Sequence, residues 1–316
     1  MDAGAVTIAQ APYYESRFIR ANAPNADRAL WVRETLLLTT TGATSADVWV
    51  MVFDPSGHHA VKQQYPIDDA VFDRDPWTAR IANTSLDDTA AAGALPTATW
   101  ELSISPGGHD PVRVLADHAY QRRFPPAKTM VRHPLARFDG RLEIADRVLD
   151  VDDWTGSVNH NWGTRHTPAY AYGQVCGFDD APDSTLEIIT ARTALGPVAL
   201  PGATLFVFRH AGQEFAVRSI RGSLQTHGRY APFRWTFGAR VGEQMIQGEI
   251  TTEPADVIGL TYADTHGGVK YCYNSSLAHC RIQVAGKAFE RSELVSRRAM
   301  FEILTDAPVD SVPLLV

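Results

Sequence analysis

The chain has 316 residues and a mass of 34.7 kDa, a length that favours two domains over one. Apolar residues make up 45% and charged residues 21%, a balance that excludes disordered, collagen-like and coiled-coil proteins. The net charge of −7 argues against nucleic acid and anionic membrane surfaces as partners. No apolar run is long enough to span a bilayer and the first residues lack a signal-peptide pattern, so we expect a cytoplasmic protein.

Short β-branched and aromatic runs with a period of two dominate the chain. The first clear run, 48–53, ends at the Asp-Pro-Ser-Gly turn of residues 54–57. Further runs follow at 99–105, 141–144, 186–190, 205–208, 233–237, 257–262, 280–284 and 300–304. Helical patterns are limited to short stretches near 67–70 and 117–123. The sequence therefore predicts an all-β protein made of antiparallel sandwiches or barrels.

An internal similarity suggests how the chain divides. Residues 49–62 resemble residues 205–218, because in both an apolar strand runs into a glycine turn and then into a strand that ends in a basic residue. A duplicated β domain has this property, and so does any pair of β-hairpins. We expect an N-terminal β domain over residues 1–150 and a C-terminal β domain over residues 151–316.

Several catalytic and cofactor motifs are absent from the sequence. It contains no GxxxxGK[ST], no strand-linked GxGxxG, no GxSxG and no HExxH. The three cysteines form no CxxC, and the adjacent His58 and His59 are poorly placed to chelate. We therefore expect neither a metal nor a cofactor, and we expect Cys272 and Cys280 to be reduced and buried.

The densest group of polar and aromatic residues lies at 152–166 and continues into 170–179. On an extended strand, His160 and Trp162 point to the same face. The next strand places a second set on one face: Tyr170, Tyr172, Gln174, Cys176 and Phe178. If residues 163–169 reverse the chain, the two strands pair and these faces form one cluster.

This predicted cluster has two interpretations. Inward-facing rings and an imidazole suit an apolar ligand that develops positive charge. Trp, Tyr and hydrogen-bonded His are also ordinary residues of a barrel core. Glu187, which alternates with Leu186 and Ile188, is expected to face solvent.

The run His160-Asn161-Trp162-Gly163, followed by the aromatic strand 170–178, resembles the HxWG signature of the carotenoid 1,2-hydratase (hydroxyneurosporene synthase) and AttH-like superfamily. Weaker matches are Tyr-Glu-Ser at 14–16, Ala-Leu-Trp-Val-Arg at 29–33 and Tyr-Asn-Ser-Ser-Leu-Ala at 273–278. The resemblance implies two lipocalin-like β domains, similar in architecture to tocopherol cyclase and lipocalin-like Diels–Alderases. It also implies a lipophilic small-molecule substrate, terpenoid or polyketide-like, held within or between the barrels.

The resemblance also implies site residues. In the carotenoid hydratases the signature His and Trp, and a Tyr-x-Asp on the next strand, take part in hydration. Tyr172-Gly173-Gln174 stands at the Tyr-x-Asp position, and its glutamine cannot protonate an alkene. The catalytic candidates are His160, Trp162, Tyr172 and Gln174, and the substrate-binding candidates are Trp154, His166, Tyr170 and Phe178.

We therefore expect a cofactor-independent enzyme that hydrates, cyclises or isomerises an unsaturated compound. His160 and Tyr172 would protonate or polarise the substrate, while Trp162 would face the developing cation. In a cycloaddition, Gln174 would polarise a carbonyl. A non-catalytic carrier or sensor of lipophilic ligands is the alternative, and a metal-dependent β-barrel enzyme is a third.

Overall fold

The polypeptide forms two large antiparallel β-sheets. The structure, a computed structural model, describes residues 11–192, 194–195, 198–199, 202–219, 221–286 and 289–316. The first sheet, within residues 13–163, comprises β1 (Tyr13–Asn22), β2 (Ala29–Leu38), β3 (Thr44–Phe53), β4 (His59–Tyr65), β5 (Ala70–Arg74), β6 (Trp77–Ile81), β7 (Thr84–Asp87), β8 (Ala90–Leu95), β9 (Ala98–Ser105), β10 (Val112–Arg113), β11 (Ala127–Ile144) and β12 (Arg147–Gly163).

The second sheet begins after β12. Its strands are β13 (Ala169–Phe178), β14 (Ala181–Arg192), β17 (Ala203–His210), β18 (Gln213–Val217), β19 (Thr226–Ala231), β20 (Arg234–Val241), β21 (Gln244–Thr251), β22 (Ile258–Ala263), β23 (Val269–Gly286) and β24 (Phe289–Thr305). A separate ribbon pairs β15 (Ala194–Leu195) with β16 (Val198–Ala199).

Helices are short in the described part of the chain. They are α1 (Asp117–Tyr120) and the 3₁₀ turns Ile67–Asp69, Gly222–Gln225 and Pro254–Asp256. Two of them lie where the sequence predicted short helices. Within the described ranges, no helix has the length and apolar character needed to cross a membrane.

Both sheets curl into barrels by the same route. The first strand of each sheet pairs with its neighbour in sequence on one edge and with the last strand on the other: β1 lies between β2 and β12, and β13 between β14 and β24. The far strands then approach each other, with β3 near β6 and β17 near β19. The predicted fold class is confirmed: two lipocalin-like antiparallel barrels with few, short helices.

The strand that crosses residue 150 belongs to the first barrel. β12 pairs with β1 on one edge and with β11 on the other. The His160–Gly163 segment therefore lies in the first sheet, and not in the C-terminal half of the fold where the sequence placed it. Both neighbours of β12 come from the N-terminal half, which fixes this assignment.

Three strands of the first barrel, β1, β2 and β3, bury both of their faces. Every residue of β1 is buried, because odd-numbered side chains point into the first barrel and even-numbered ones toward the second. Between the barrels, Phe18, Trp31 and Trp49 pack against Ile258 and Leu260. The three cysteines are free and buried, as expected for Cys272 and Cys280.

Candidate active site

The His160 and Trp162 side chains point into the first barrel. They share the inward face of β12 with Trp154 and Val158, which belong to the barrel core. The imidazole of His160 stacks on the indole of Trp162, with ring centroids 4.2 Å apart and an interplanar angle of 25°. Trp162 therefore covers the imidazole itself.

Two residues of β1 complete a buried charged cluster around His160, the Glu15–Arg17–His160 triad. His160 Nε2 lies 2.9 Å from Glu15 Oε1, and Arg17 donates from Nη2 to the same oxygen over 2.8 Å. Tyr13 Oη donates to Glu15 Oε2 over 2.7 Å. All three triad residues are 0% exposed, so these contacts are shielded from water.

Glu15 orients the imidazole of His160 through Nε2. Burial alone would raise the pKa of Glu15, but the hydrogen bond and charge of His160, with the charge of Arg17, outweigh it and lower the pKa to about 2. An ionised Glu15 can only accept, so His160 Nε2 carries a proton. In the neutral imidazole Nδ1 is then the unprotonated nitrogen, and among the described residues it has no hydrogen-bond partner.

A second carboxyl, Glu34, lies on the same inward face. Glu34 stands opposite Arg17 on β2 and accepts a hydrogen bond from Thr84 Oγ1 at Oε1, over 2.8 Å. Burial raises the pKa of Glu34 to about 8, and the opposing effects of Thr84 and Arg17 do not offset it. At neutral pH the interior therefore holds one ionised carboxyl, Glu15, and one neutral carboxyl, Glu34.

Two tryptophan rings lie near His160 and Thr84, the partners of these carboxyls. The Trp77 ring lies 6.0 Å from the imidazole of His160, centroid to centroid. Trp100 packs beside Thr84, since a Cβ added to Gly93 would lie 2.3 Å from the Trp100 ring and 2.9 Å from the Thr84 methyl. Within the described part of the chain, neither indole nitrogen has a hydrogen-bond acceptor.

Tyr172 and Gln174 lie in a different cluster, between the barrels. Gln174 Oε1 accepts from Arg20 Nε over 2.8 Å, and Gln174 Nε2 donates to Glu187 Oε2 over 3.0 Å. Tyr172 Oη donates to the other oxygen of Glu187. The interdomain cluster comprises Arg20, Ser157, Asn159, Tyr172, Gln174 and Glu187.

The predicted pairing of the two aromatic strands is wrong. Both edges of β12 are occupied by β1 and β11, so residues 164–168 carry the chain across to the second sheet. Gln174 instead meets Ser157 and Asn159, on the opposite face of β12 from His160. β12 therefore separates the two halves of the predicted catalytic set.

The predicted substrate-binding residues are dispersed. Trp154 lies in the core of the first barrel and Phe178 in that of the second, where a bulge at Gly177 turns Phe178 away from the face of Tyr172. His166 stacks on Tyr14 with centroids 4.0 Å apart, and burial lowers the pKa of His166 to about 4. Tyr170 Oη donates to Glu302 Oε1 over 2.5 Å.

The prediction that Glu187 faces solvent is wrong. Glu187 is 3% exposed, because one face of β14 packs in the second barrel and the other meets the first. Burial raises the pKa of Glu187 to about 8. Alternation correctly separated Glu187 from Leu186 and Ile188, but it cannot show that a second domain covers the outer face.

Sequence analysis missed Glu15, Arg17 and Glu34 as site residues. Charged side chains in a strand are normally assigned to its exposed face. The available signal was positional: Glu15 and Arg17 have the same parity as Ile19 and Ala21, which are core residues. Glu15 also lies within the Tyr-Glu-Ser fragment at 14–16.

No protein-family model matches the chain. Two uncharacterized Mycobacterium tuberculosis proteins, MT0513 of strain CDC 1551 / Oshkosh and Rv0493c of strain ATCC 25618 / H37Rv, are each 26% identical to it over 259 residues. Each alignment covers 82% of this chain and 77% of the relative. These relatives extend the sequence similarity over most of both barrels.

Solved structures share the fold. An AttH-like protein of Nitrosomonas europaea has a TM-score of 0.54 at 12% identity, covering 96% of this chain and 98% of its own. Kievitone hydratase of Nectria haematococca has a TM-score of 0.54 at 8% identity, covering 94% and 89%. CghA with Sch210972 has a TM-score of 0.64 at 10% identity, covering 93% and 89%. The chain therefore has the two-barrel, lipocalin-like fold of the AttH-like proteins, as the HNWG segment implied.

Proposed function

We propose that this protein is a cofactor-independent enzyme that hydrates, cyclises or isomerises a lipophilic unsaturated small molecule inside its first barrel. The observation that carries the proposal is the Glu15–Arg17–His160 triad, in which a buried imidazole is oriented by a carboxylate through one nitrogen and leaves the other unpaired. This is the arrangement of an oriented general base.

Each member of the triad has a definite part in this proposal. Glu15 fixes the tautomer of His160 and stabilises the imidazolium that forms when Nδ1 takes up a proton. Arg17 keeps Glu15 ionised and is itself held by the carbonyl oxygens of Asp73 and Thr78, each over 2.7 Å. The stacked ring of Trp162 adds a cation–π contact to the imidazolium.

The surroundings of the triad favour a lipophilic ligand. The next inward-facing residues on β1, β2 and β12 are Ile19, Val32 and Val158, and they form an apolar surface beside the triad. A lipocalin-type barrel is wide enough for one small ligand. An apolar ligand that packs on this surface would present its reactive atoms to the triad.

Ligand access requires a side chain to move, because the triad is fully buried. Trp77 is the best candidate. Its ring contacts the guanidinium of Arg17 inside the barrel, 4.7 Å from the centroid, and that of Arg132 at 4.8 Å. Arg132 has a side chain that is 23% exposed and pairs with Asp88, so Trp77 lies between the triad and the surface.

The comparisons support this proposal at the level of fold. One structural neighbour is named as a hydratase, and another was crystallised with a small molecule, Sch210972. In this proposal Tyr172 and Gln174 join the barrels and do not touch the substrate. This departs from the expectation that all four candidates act together.

The first test identifies the ligand and then separates binding from turnover. Mass spectrometry of small molecules extracted from the purified protein supplies a candidate compound. We expect His160→Gln to lower kcat for that compound by about 10²- to 10⁴-fold with little change in Kd. His279→Gln, at an exposed position of the second barrel, is the matched control and should have no effect.

Two results would contradict the proposal. Unchanged turnover in His160→Gln would remove the triad from the chemistry. Tight binding by the natural protein without any turnover would identify a carrier or sensor of the same ligand.

A further inference from the structure

Glu34, Arg17 and His160 form one row across three adjacent strands. β1 places Arg17 opposite Glu34 of β2 on one edge and opposite His160 of β12 on the other. Neighbouring strands are about 4.8 Å apart, so the backbones at Glu34 and His160 are separated by roughly 10 Å. Their side chains point to the same interior, one on each side of Arg17.

Arg17 does not pair with Glu34. Its Nε and Nη2 donate to Glu15 over 3.0 and 2.8 Å, and its Nη1 donates to two backbone carbonyls. Glu34 instead uses one oxygen to accept from Thr84, and within the described ranges its other oxygen has no partner. Glu34 is 0% exposed, and burial without an ion-pair partner favours the neutral form of a carboxyl.

The unpaired polar atoms of this interior are mainly donors. An indole N–H can only donate, and a neutral carboxyl donates through its O–H. Trp77, Trp100 and Glu34 each have such an unpaired atom in the described structure, and the exception is Nδ1 of His160, which is an acceptor in the neutral imidazole. A ligand that pairs with them carries a hydrogen-bond acceptor such as a carbonyl oxygen, which a pure hydrocarbon lacks.

We propose that Glu34 is the acid of this site and that the substrate is a conjugated carbonyl compound whose oxygen accepts from Glu34. The inference rests on the proposed function and specifies its substrate class. In an isomerisation, a C–H proton next to the conjugated system moves to His160 Nδ1 while the Glu34 proton moves to the carbonyl oxygen. The resulting dienol returns its O–H proton to Glu34, and the imidazolium delivers its proton to a different carbon.

Glu34 and His160 can also supply and accept the protons of a hydration. Water attacks the β-carbon of the conjugated carbonyl and loses a proton to His160 Nδ1, while Glu34 protonates the carbonyl oxygen. The enol then returns a proton to Glu34, and the imidazolium protonates the α-carbon. The net change is the addition of one water, and both side chains are restored.

Glu187 provides a matched control within the same chain. Like Glu34, Glu187 is a buried carboxyl whose pKa is raised by burial to about 8. Unlike Glu34, both of its oxygens accept hydrogen bonds, from Tyr172 and Gln174. Glu187 therefore reproduces the burial and protonation of Glu34 without an oxygen available to a ligand.

The experiment uses a lipophilic conjugated ketone, β-ionone, and the corresponding hydrocarbon without the carbonyl. Binding is followed by tryptophan fluorescence, and the hydrogen bond to the ketone by the red shift of its absorption band. We expect the natural protein and Glu187→Gln to shift the band, and to lose the shift as pH rises through about 8. Glu34→Gln keeps an amide N–H donor, so it should give a smaller shift that does not change with pH. Affinity for the hydrocarbon should be the same in all three proteins.

The pH dependence of the shift identifies the donor. The charged and titratable groups that share the interior with Glu34 are Arg17, Glu15 and Tyr13 of β1 and His160 of β12. The shift should disappear as pH rises through about 8, where Glu34 loses its proton. Because the Thr84 hydrogen bond lowers the pKa of Glu34, Thr84→Val should move this midpoint to higher pH, which tests the proposal even if Glu34→Gln does not fold.

Separate outcomes overturn the two proposals. The same size and pH dependence of the band shift in the natural protein and in Glu34→Gln would overturn the role of Glu34 alone. A shifted absorption band of the bound ketone, together with unchanged turnover in His160→Gln, would keep Glu34 as a hydrogen-bond donor to the ligand. It would overturn the proposal that the triad catalyses a reaction. Failure of the natural protein to bind the ketone would overturn both.

Discussion

Glu15 and Glu34 are carboxyls of the same interior with opposite protonation. Glu15 accepts from a cation and an imidazole, so its charge is compensated. Glu34 accepts only from a hydroxyl, and the charge of the nearby Arg17 does not offset the effect of its burial. Environment alone separates the two carboxyls, and such divergence is typical of acid–base sites.

The raised pKa of Glu34 makes stability depend on pH. The folded protein keeps the Glu34 proton up to about pH 8, whereas the unfolded chain releases it near the ordinary value of 4.5. The stabilisation is therefore complete below 4.5 and is lost as pH rises through about 8, with a slope of up to ~1.4 kcal/mol per pH unit. Glu34→Gln should remove this slope, as measured by urea unfolding between about pH 5 and pH 9.

Glu187→Gln is the comparison variant. The pKa of Glu187 is also raised to about 8, so this substitution should reduce the pH dependence of the free energy of unfolding by a similar amount over the same pH range. The double variant should then lose both contributions. An unchanged slope in Glu34→Gln would show that Glu34 ionises normally in the folded protein.

Glu15 has the opposite pH dependence. Because its folded pKa is lowered to about 2, its contribution is present above the ordinary value of 4.5 and is lost as pH falls toward 2. Glu15→Gln leaves the buried Arg17 without its carboxylate and should lower the free energy of unfolding by roughly 3–5 kcal/mol at neutral pH. Chemical denaturation against the exposed-site control Glu101→Gln measures this loss.

At the level of strands, the alternation of residues in the sequence predicted correctly which side chains share a face. It did not predict which strands pair. It correctly placed His160 with Trp162, and Tyr172 with Gln174, because side-chain direction is a local property of a strand. It failed on the contact between these pairs, because the pairing of β12 depends on β1, which is more than a hundred residues away in the sequence. A composition of turn residues at 163–169 is equally compatible with a hairpin and a crossing.

The bulge at Gly177 is a second feature that alternation did not predict. Gly177 has a φ of +89°, and an added Cβ would lie 3.0 Å from the carbonyl oxygen of Pro182. Gly177→Ala should therefore lower the free energy of unfolding by about 1–2 kcal/mol through backbone strain. Thermal unfolding measures the loss, and Gly202→Ala, where the nearest atom to an added Cβ lies at an ordinary 3.4 Å, is the control.

At the scale of the whole molecule, the two barrels are joined by an apolar contact and by the interdomain cluster. Length favoured two domains and the family resemblance implied two lipocalin-like barrels, and the structure has two separate cores. The interdomain cluster was not predictable, because Arg20, Gln174 and Glu187 are polar residues on strand faces that would be exposed in isolated domains.

Gln174 holds this cluster together and should couple the unfolding of the barrels. Gln174→Leu removes the acceptor for Arg20 and the donor to Glu187, leaving buried polar groups unpaired. We expect a loss of roughly 3–5 kcal/mol and a calorimetric transition that splits in two. The exposed-site control Gln247→Leu should retain the single transition, and a single, unshifted transition in Gln174→Leu would show that the apolar contact alone joins the barrels.

β12 contributes one face to the interior of the first barrel and the other face to the interdomain cluster, and this determines which insertions the chain can tolerate. One residue added after Gly156 would rotate every later side chain to the opposite face, sending His160 and Trp162 toward the second barrel and Asn159 into the first. Two added residues would restore both faces and displace the chain by one strand repeat. A single odd insertion would therefore disrupt both the buried His160–Trp162 stack of the first barrel and the interdomain cluster, whereas an even insertion would keep both faces.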